Sequence, residues 1–171
     1  MKYGKQFIIP LAGAAPGSCQ SDYHIDSRFF EQYPENEIQS CDIRITLNLI
    51  RQEDSLVLVF GLSGKLGLIC DRCLDPYDLE IEDEESVLIK LGKKGEASGD
   101  DECLPADVQE IDVRQYIYDL ILLRIPFRRV HPDDESGQSR CDAEVLRRLE
   151  ELSQKKDTDS RWDRLKDMQN N

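Results

Sequence analysis

Four residues of the chain have the types and spacing that could bind a metal ion. Cys70 and Cys73 belong to a C-x-x-C turn, which places two thiolates close enough to share one tetrahedral zinc ion. Zinc needs two further ligands, and we expect His131 and Cys141 to provide them, with Cys103 in reserve for either one. A redox-active cysteine pair and a set of partly buried structural thiols stay open as alternatives.

The N-terminal stretch and the cysteine count bear on the cellular compartment. The chain has six cysteines, but only one pair is closely spaced. The apolar run 7–15 resembles a short signal sequence, with a lipoprotein signal ending at Cys19 as one interpretation. Pro10 and Gly13 interrupt this run, which favours an edge strand at Gln6–Leu11 instead. No stretch approaches the ~18–20 apolar residues of a membrane span. We therefore predict a cytoplasmic protein with reduced thiols and no membrane partner.

Catalytic constellations are hard to find in this sequence. Only His24 and His131 could act as acid–base groups with an ordinary near-neutral pKa. The sequence has no phosphate-cradling glycine loop, nucleophile elbow or H-E-x-x-H motif. The acidic run Glu82–Glu85 could hold a divalent cation, although a solvated strand face is the favoured interpretation. We therefore predict that the chain is not an enzyme, with a metal-dependent hydrolase as the alternative.

The charge of the chain is −13 and is unevenly distributed. Residues 1–110 contain 22 acidic and 10 basic side chains, whereas residues 111–171 contain 13 acidic and 12 basic ones. Nucleic-acid binding relies on clustered cations that neutralise phosphates, so the acidic part is better suited to a basic protein partner. The arginines and lysines of the last third could form a limited edge facing RNA. Solubility and ordinary ion pairing on helices are the alternative explanations.

Alternating apolar residues predict the strands that position the C-x-x-C turn. Asp42–Arg51 alternates with one buried face, and a polar turn leads to the apolar run Leu56–Leu62, which predicts a hairpin. Further short strands are expected at Leu66–Cys70, Tyr77–Ile81 and Val87–Leu91. The glycines at positions 61, 64 and 67 suggest bends or bulges, as in a curled sheet.

Helical patterns dominate the later part of the chain. Asp112 is a plausible N-cap for an apolar helix over Val113–Leu123, which Pro126 ends. A flexible excursion is expected at Gly92–Glu102, before this helix. A second helix follows Asp142, and a short terminal helix could present the apolar residues Trp162, Leu165 and Met168.

These elements predict an α+β fold. We expect a curled antiparallel β-sheet or partial barrel packed by an apolar helix, with a helical C-terminal extension. The predicted division is a β-rich core with its packing helix at residues 1–125 and an extension with the terminal Trp motif at residues 126–171.

Three segments together resemble the YceD family, the large ribosomal RNA subunit accumulation proteins. They are the run Leu68–Pro76 around the C-x-x-C turn, the apolar helix ending in Arg124-Ile125-Pro126, and the terminal Asp159–Leu165 with its D-x-R-W pattern. The resemblance implies a role in the synthesis, processing or stability of 23S rRNA and in accumulation of the large ribosomal subunit. Many members of the family have a second cysteine pair after the apolar helix, where this chain has His131 and Cys141.

The resemblance and the charge distribution together predict a non-enzymatic, chaperone-like factor. Its acidic part would bind a basic ribosomal protein or a precursor of the large ribosomal subunit, and its C-terminal region would lie near rRNA. A zinc-stapled protein-interaction module unrelated to ribosomes is the main alternative.

Overall fold

The computed structural model describes residues 6–11, 18–33, 37–92 and 103–154. These residues divide into two compact units. The first contains the described residues up to Ile69 together with Pro76–Arg129, and the second contains Cys70–Asp75 together with the described residues from Val130 onwards. The predicted division between residues 125 and 126 stays a prediction. The predicted terminal helix around Trp162 and most of the excursion at Gly92–Glu102 lie outside the described residues.

Seven strands and three helices are present in the described part of the chain. In chain order they are β1 (Ile8–Pro10), β2 (Ser18–Asp26), α1 (Ser27–Phe30), β3 (Ser40–Arg51), β4 (Ser55–Ile69), β5 (Pro76–Leu91), β6 (Cys103–Leu104), β7 (Glu110–Asp112), α2 (Arg114–Leu123) and α3 (Ala143–Gln154). The strand predicted at Gln6–Leu11 is observed as the shorter β1, which pairs antiparallel with β7. No helix in the described residues has the length and apolar content needed to cross a membrane.

The main sheet has the strand order β2-β3-β4-β5-β6. Its first four strands are antiparallel, whereas β6 pairs parallel to β5, with Lys90 opposite Cys103. A parallel pair cannot be joined by a tight turn, and β5 and β6 are separated in sequence by residues 92–102. The predicted α+β class is confirmed, but the sheet is mixed and open rather than wholly antiparallel. The finer expectations of a curled sheet and a helical C-terminal extension stay predictions.

The two central strands are longer than predicted. β4 and β5 have 15 and 16 residues, where the sequence suggested two short strands in each region. The glycines of β4 do not break it. A Cβ at Gly64 would lie 2.1 Å from the carbonyl oxygen of Asp42, so glycine is the residue that lets β4 approach β3 closely. The prediction of separate strands there was wrong because glycine signals close backbone approach as well as a break.

The hydrophobic core of the first unit follows the predicted alternation. One face of β3 and the matching face of β4 together bury eight of the apolar side chains of this core. They are Ile43, Ile45, Leu47, Leu49, Leu56, Leu58, Phe60 and Leu62. α2 buries Ile117, Leu120 and Ile121, as its helical spacing predicted. We call the side of the sheet that bears these β3 and β4 residues the core face and the opposite side the outer face.

The start of α2 differs by one residue from the prediction. Its N-cap is Val113, whose side chain makes no capping hydrogen bond. Asp112 still stabilises the N-terminus of α2, because its carboxylate accepts a hydrogen bond of 3.0 Å from the backbone N–H of Arg114. The Arg114 side chain also donates to this carboxylate and lowers the pKa of Asp112.

Candidate metal centre

The C-x-x-C turn is the connection between β4 and β5. The backbone N–H of Cys70 donates to the Asp75 carbonyl at 3.0 Å, and the N–H of Leu74 donates to the Cys70 carbonyl at 3.0 Å. Leu74 adopts a φ of 62°, in the left-handed region that residues other than glycine rarely adopt. These bonds hold Cys70 and Cys73 in one tight turn. The turn opens no helix, because β5 begins at Pro76.

A second turn brings His131 and Cys141 together. The chain between them folds back on itself through a bridge between Asp133 and Ser139. The N–H of Gly137 donates to the Asp134 carbonyl at 2.9 Å, and Gly137 has a φ of 78°, which glycine adopts without a steric penalty. As a result the Nδ1 atom of His131 lies 3.6 Å from the Sγ atom of Cys141.

The two turns form a single Cys3His cluster within the second unit. The ligating atoms of Cys70, Cys73, His131 and Cys141 all lie within 4.8 Å of one another. The Sγ atoms of Cys70 and Cys141 are 3.6 Å apart, and Cys73 Sγ lies 3.4 Å from His131 Nδ1. Cys70 is fully buried, while Cys73 and Cys141 are nearly so.

Three of the six separations between ligand atoms match the edges of a tetrahedral zinc site. Zn–S bonds of about 2.3 Å and a Zn–N bond of about 2.0–2.1 Å give tetrahedral edges of about 3.8 Å between two sulfurs and about 3.5 Å between sulfur and nitrogen. The observed 3.6 Å, 3.4 Å and 3.6 Å lie close to these edges. Three soft thiolates and one imidazole are a donor set that zinc prefers. The arrangement could therefore hold one metal ion with four protein ligands.

The cluster also favours the thiolate form of Cys70. Burial of Cys70 opposes loss of its proton, but the backbone N–H groups of Cys73 and Arg72 and the His131 ring favour the thiolate and lower its pKa to about 6. Burial lowers the pKa of His131, whereas the sulfurs of Cys70 and Cys141 raise it, and the net shift is upward. The lowered pKa favours the thiolate of Cys70, which is the form that binds a metal.

The other two thiols of the cluster have opposite shifts. Burial and the neighbouring sulfurs of Cys70 and Cys141 raise the pKa of Cys73, although backbone N–H groups oppose this. At Cys141 burial also opposes ionisation, but hydrogen bonds from Ser139 and His131 outweigh it, and the net pKa is lowered. The upward shift at Cys73 opposes metal binding, which needs the thiolate, whereas the downward shift at Cys141 favours it.

Two residues that support the cluster were not identified from the sequence. The guanidinium of Arg72 donates a hydrogen bond of 2.8 Å to the Ser139 hydroxyl, which joins the two turns. The Ser139 hydroxyl also accepts from the backbone N–H of Cys141 at 3.3 Å. In the sequence, only their closeness to the ligands indicated this role, since Arg72 lies inside the C-x-x-C turn and Ser139 lies two residues before Cys141.

The remaining cysteines and His24 lie elsewhere in the chain. Cys103 belongs to β6 and is not part of the cluster found among the described residues, so the reserve ligand is not brought to it. Cys41 is buried in the first unit and Cys19 is exposed on β2. His24 is also exposed on β2, with its Nε2 atom 2.7 Å from the Asp42 carboxylate, as expected for a surface residue.

Comparison with known proteins identifies one family. The family model described as "Large ribosomal RNA subunit accumulation protein YceD" matches residues 58–169, well over half of the chain. This match contains all four residues of the Cys3His cluster. Comparisons with curated proteins and with solved structures gave no significant match.

Proposed function

Because the chain belongs to the YceD family of large ribosomal RNA subunit accumulation proteins, we propose that it is a cytoplasmic, non-enzymatic factor in large ribosomal subunit production. It acts by binding a basic ribosomal protein or a large-subunit precursor, and so supports the synthesis, processing or stability of 23S rRNA. The family match over residues 58–169 is the observation that carries this proposal.

The Cys3His cluster has a structural role in this proposal. Cys70, Cys73, His131 and Cys141 would hold one zinc ion, which cross-links the turn after β4 to the turn before α3. Four protein ligands leave no open position for a substrate or an activated water, which distinguishes a structural zinc site from a catalytic one. This donor set supports a zinc-stabilised factor over a metal-dependent hydrolase.

The acidic strand β5 supports a basic partner. Its residues 78–85 include six exposed or half-exposed carboxylates: Asp78, Glu80, Glu82, Asp83, Glu84 and Glu85. Such a surface repels phosphate and attracts lysine- and arginine-rich protein segments. RNA contact, where it occurs, is assigned to the less acidic region 111–171.

Sedimentation of the tagged chain in cell extracts tests the proposal. At physiological salt we expect it to co-sediment with large-subunit precursors and, after depletion, the ratio of 23S to 16S rRNA to fall. A chain that stays at the top of the gradient, in cells whose 23S rRNA is normal after depletion, would contradict a ribosomal role and favour an unrelated interaction module.

An activity assay distinguishes a non-enzymatic factor from a metal-dependent hydrolase. The purified protein incubated with precursor 23S rRNA should release no product. Cleavage that disappears in Cys70→Ser but persists in Cys103→Ser would instead place a reaction at the cluster, because Cys103 lies outside it.

A further inference from the structure

The outer face of the main sheet presents an apolar strip to solvent. Register places Ile50 of β3 opposite Val57 of β4, and Val57 opposite Leu88 of β5. All three side chains therefore lie in one row on the outer face. Leu88 is 58% exposed and Ile50 is 37% exposed, and Val59 continues the strip along β4. Aliphatic side chains in adjacent strands, open to water, form a surface that gains free energy when it is covered.

Carboxylates border this strip on the same face. Residues of a strand alternate between faces, so Glu82 and Glu84 share the outer face of β5 with Leu88. Both are exposed, and among the described residues no cation lies within ion-pair distance of either. Their neighbours Asp83 and Glu85 differ, because they point to the core face and pair with Arg124.

A groove runs between β3 and β5 beside these carboxylates. It has a volume of about 600 Å³, and its floor includes Gly61 and Ser63 of β4. Gly61 lies opposite Glu84, and its lack of a side chain leaves room above the sheet. Glu82 and Glu84 contribute acidic groups to the lining against one cation, Arg44. The groove is thus negatively charged and continues into an apolar strip.

An acidic groove beside an apolar strip favours a polypeptide partner over RNA. Sheets that bind single-stranded RNA present aromatic side chains for stacking and cations for phosphates. The outer face of β3, β4 and β5 has no aromatic side chain, and its carboxylates outnumber its cations, which are Arg44, Lys65 and Lys90. Glu84 and Leu88 are four residues apart, about 13 Å along an extended strand. A partner would need a cation and an aliphatic side chain at a similar separation.

We propose that the outer face of β3–β5 is a docking surface for a polypeptide segment rich in lysine or arginine and aliphatic residues. The aliphatic side chains cover Val57 and Leu88, and the cations lie over Glu82 and Glu84. This inference rests on the proposed function, and it names the surface through which a basic partner is held.

Fluorescence anisotropy with labelled peptides tests this surface in the full-length protein. The probe is a peptide in which lysine alternates with leucine, and the comparison peptide replaces leucine with serine. We expect Leu88→Ser to weaken binding of the first peptide about tenfold and to leave the second unchanged. Glu84→Gln should weaken both and reduce the salt dependence.

Two matched variants control for surface chemistry in general. Leu123→Ser removes an exposed leucine from α2, and Glu110→Gln removes an exposed carboxylate from β7. Neither lies on the main sheet, so both should bind the peptides as the unmodified protein does. Equal effects of Leu88→Ser and Leu123→Ser would overturn the proposal.

The other occupants of this surface give distinct results. If the unmodified protein sediments as a dimer that Leu88→Ser dissociates, a second copy of the chain covers the face and the proposal is wrong. Binding of polyuridylate that Leu88→Ser weakens would overturn it in favour of RNA. Leu88→Ser could bind the peptide as well as the unmodified protein does, while the unmodified protein still co-sediments with large-subunit precursors. That result would refute the docking surface and leave the proposed function intact.

Discussion

The Sγ atoms of Cys70 and Cys141 lie 3.6 Å apart, although 71 residues separate them in the chain. The C-x-x-C turn of Cys70 and Cys73 supplies only two of the four ligands that a tetrahedral site needs. The other ligands must therefore come from a distant part of the chain. The contact exists because one turn follows β4 and the other precedes α3, and both belong to the same compact unit.

Zinc content is expected to depend on the four residues of the cluster. The purified protein should contain one equivalent of zinc, and Cys70→Ser or Cys141→Ser should remove it, since three remaining ligands bind far more weakly. Metal analysis by mass spectrometry, with cobalt substitution to detect thiolate coordination, measures this. Cys103→Ser is the matched control and should keep its zinc, because Cys103 lies in β6 outside the cluster. If Cys103→Ser lost its zinc as fully as Cys70→Ser, the assignment of the four ligands would be wrong.

Metal removal is expected to loosen the second unit locally. The turn between His131 and Cys141 has few buried apolar side chains of its own, so a bound ion would supply much of its stability. After chelation, hydrogen exchange of the amides in 131–141 should accelerate by about tenfold or more. The amides of β3 and β4, in the other unit, serve as the internal reference and should keep their protection. Identical exchange before and after chelation would show that no stabilising ion was bound.

Protein stability is expected to fall at high pH because of Cys41. Burial, together with the charges of Asp42 and Asp26, raises the pKa of this thiol to about 12, from 9.0 when unperturbed. Between these values the unfolded chain loses the proton and the folded chain keeps it, so the unfolded state is favoured as pH rises. The free energy of unfolding should drop by up to about 1.4 kcal/mol per pH unit in this window.

Denaturation of Cys41→Ala measures this contribution by difference. The variant should be less stable than the unmodified protein below pH 9, because a buried side chain has been shortened. Its deficit should shrink as pH rises towards 12. Cys19→Ala, at an exposed cysteine, should follow the unmodified protein throughout. A deficit that is constant with pH would refute the assigned ionisation.

The link between α2 and β5 is expected to contribute measurably to stability. The Nε atom of Arg124 lies 2.6 Å from the Asp83 carboxylate in an ion pair, and its Nη2 group donates to Glu85 at 2.9 Å. The Arg124 side chain is only 23% exposed. Arg124→Met keeps the aliphatic stem and removes the charge, and should lower the free energy of unfolding by about 1 kcal/mol. Arg147→Met is the control, since its pair with Glu151 is long and solvated. Equal losses of unfolding free energy in the two variants would show that the partly buried Arg124 pair is no more stabilising than the solvated Arg147 pair.

Close approach of β4 to β3 predicts a large effect of alanine at Gly64. The added Cβ would lie 2.1 Å from the Asp42 carbonyl oxygen and 2.8 Å from the Ile43 Cα atom, and both are backbone atoms that cannot move away cheaply. Gly64→Ala should therefore lower the free energy of unfolding by more than about 2 kcal/mol. Gly61→Ala, whose Cβ would meet nothing closer than 3.9 Å, should stay within about 1 kcal/mol. Urea denaturation of both variants provides the comparison.

Local sequence patterns predicted most of the strands and α2. The alternation in Asp42–Arg51 and the spacing of Ile117, Leu120 and Ile121 report burial within single elements, so they could be identified before any tertiary contact was known. Continuity of β4 through Gly61, Gly64 and Gly67 could not, because it depends on how closely β3 approaches. The parallel pairing of β6 likewise depends on a partner strand outside its own short sequence.

By itself the sequence determined the types of residue available for metal binding, the alternating burial of the central strands, and the resemblance to a family. These are properties of neighbouring residues, which periodicity and spacing report directly. Only the tertiary structure decided that His131 and Cys141 join Cys70 and Cys73 while Cys103 does not. It also decided that Glu82 and Glu84 share a face with Leu88 beside a groove. Such relationships come from strand register and chain reversal, which bring together residues whose separation in sequence carries no record of their proximity.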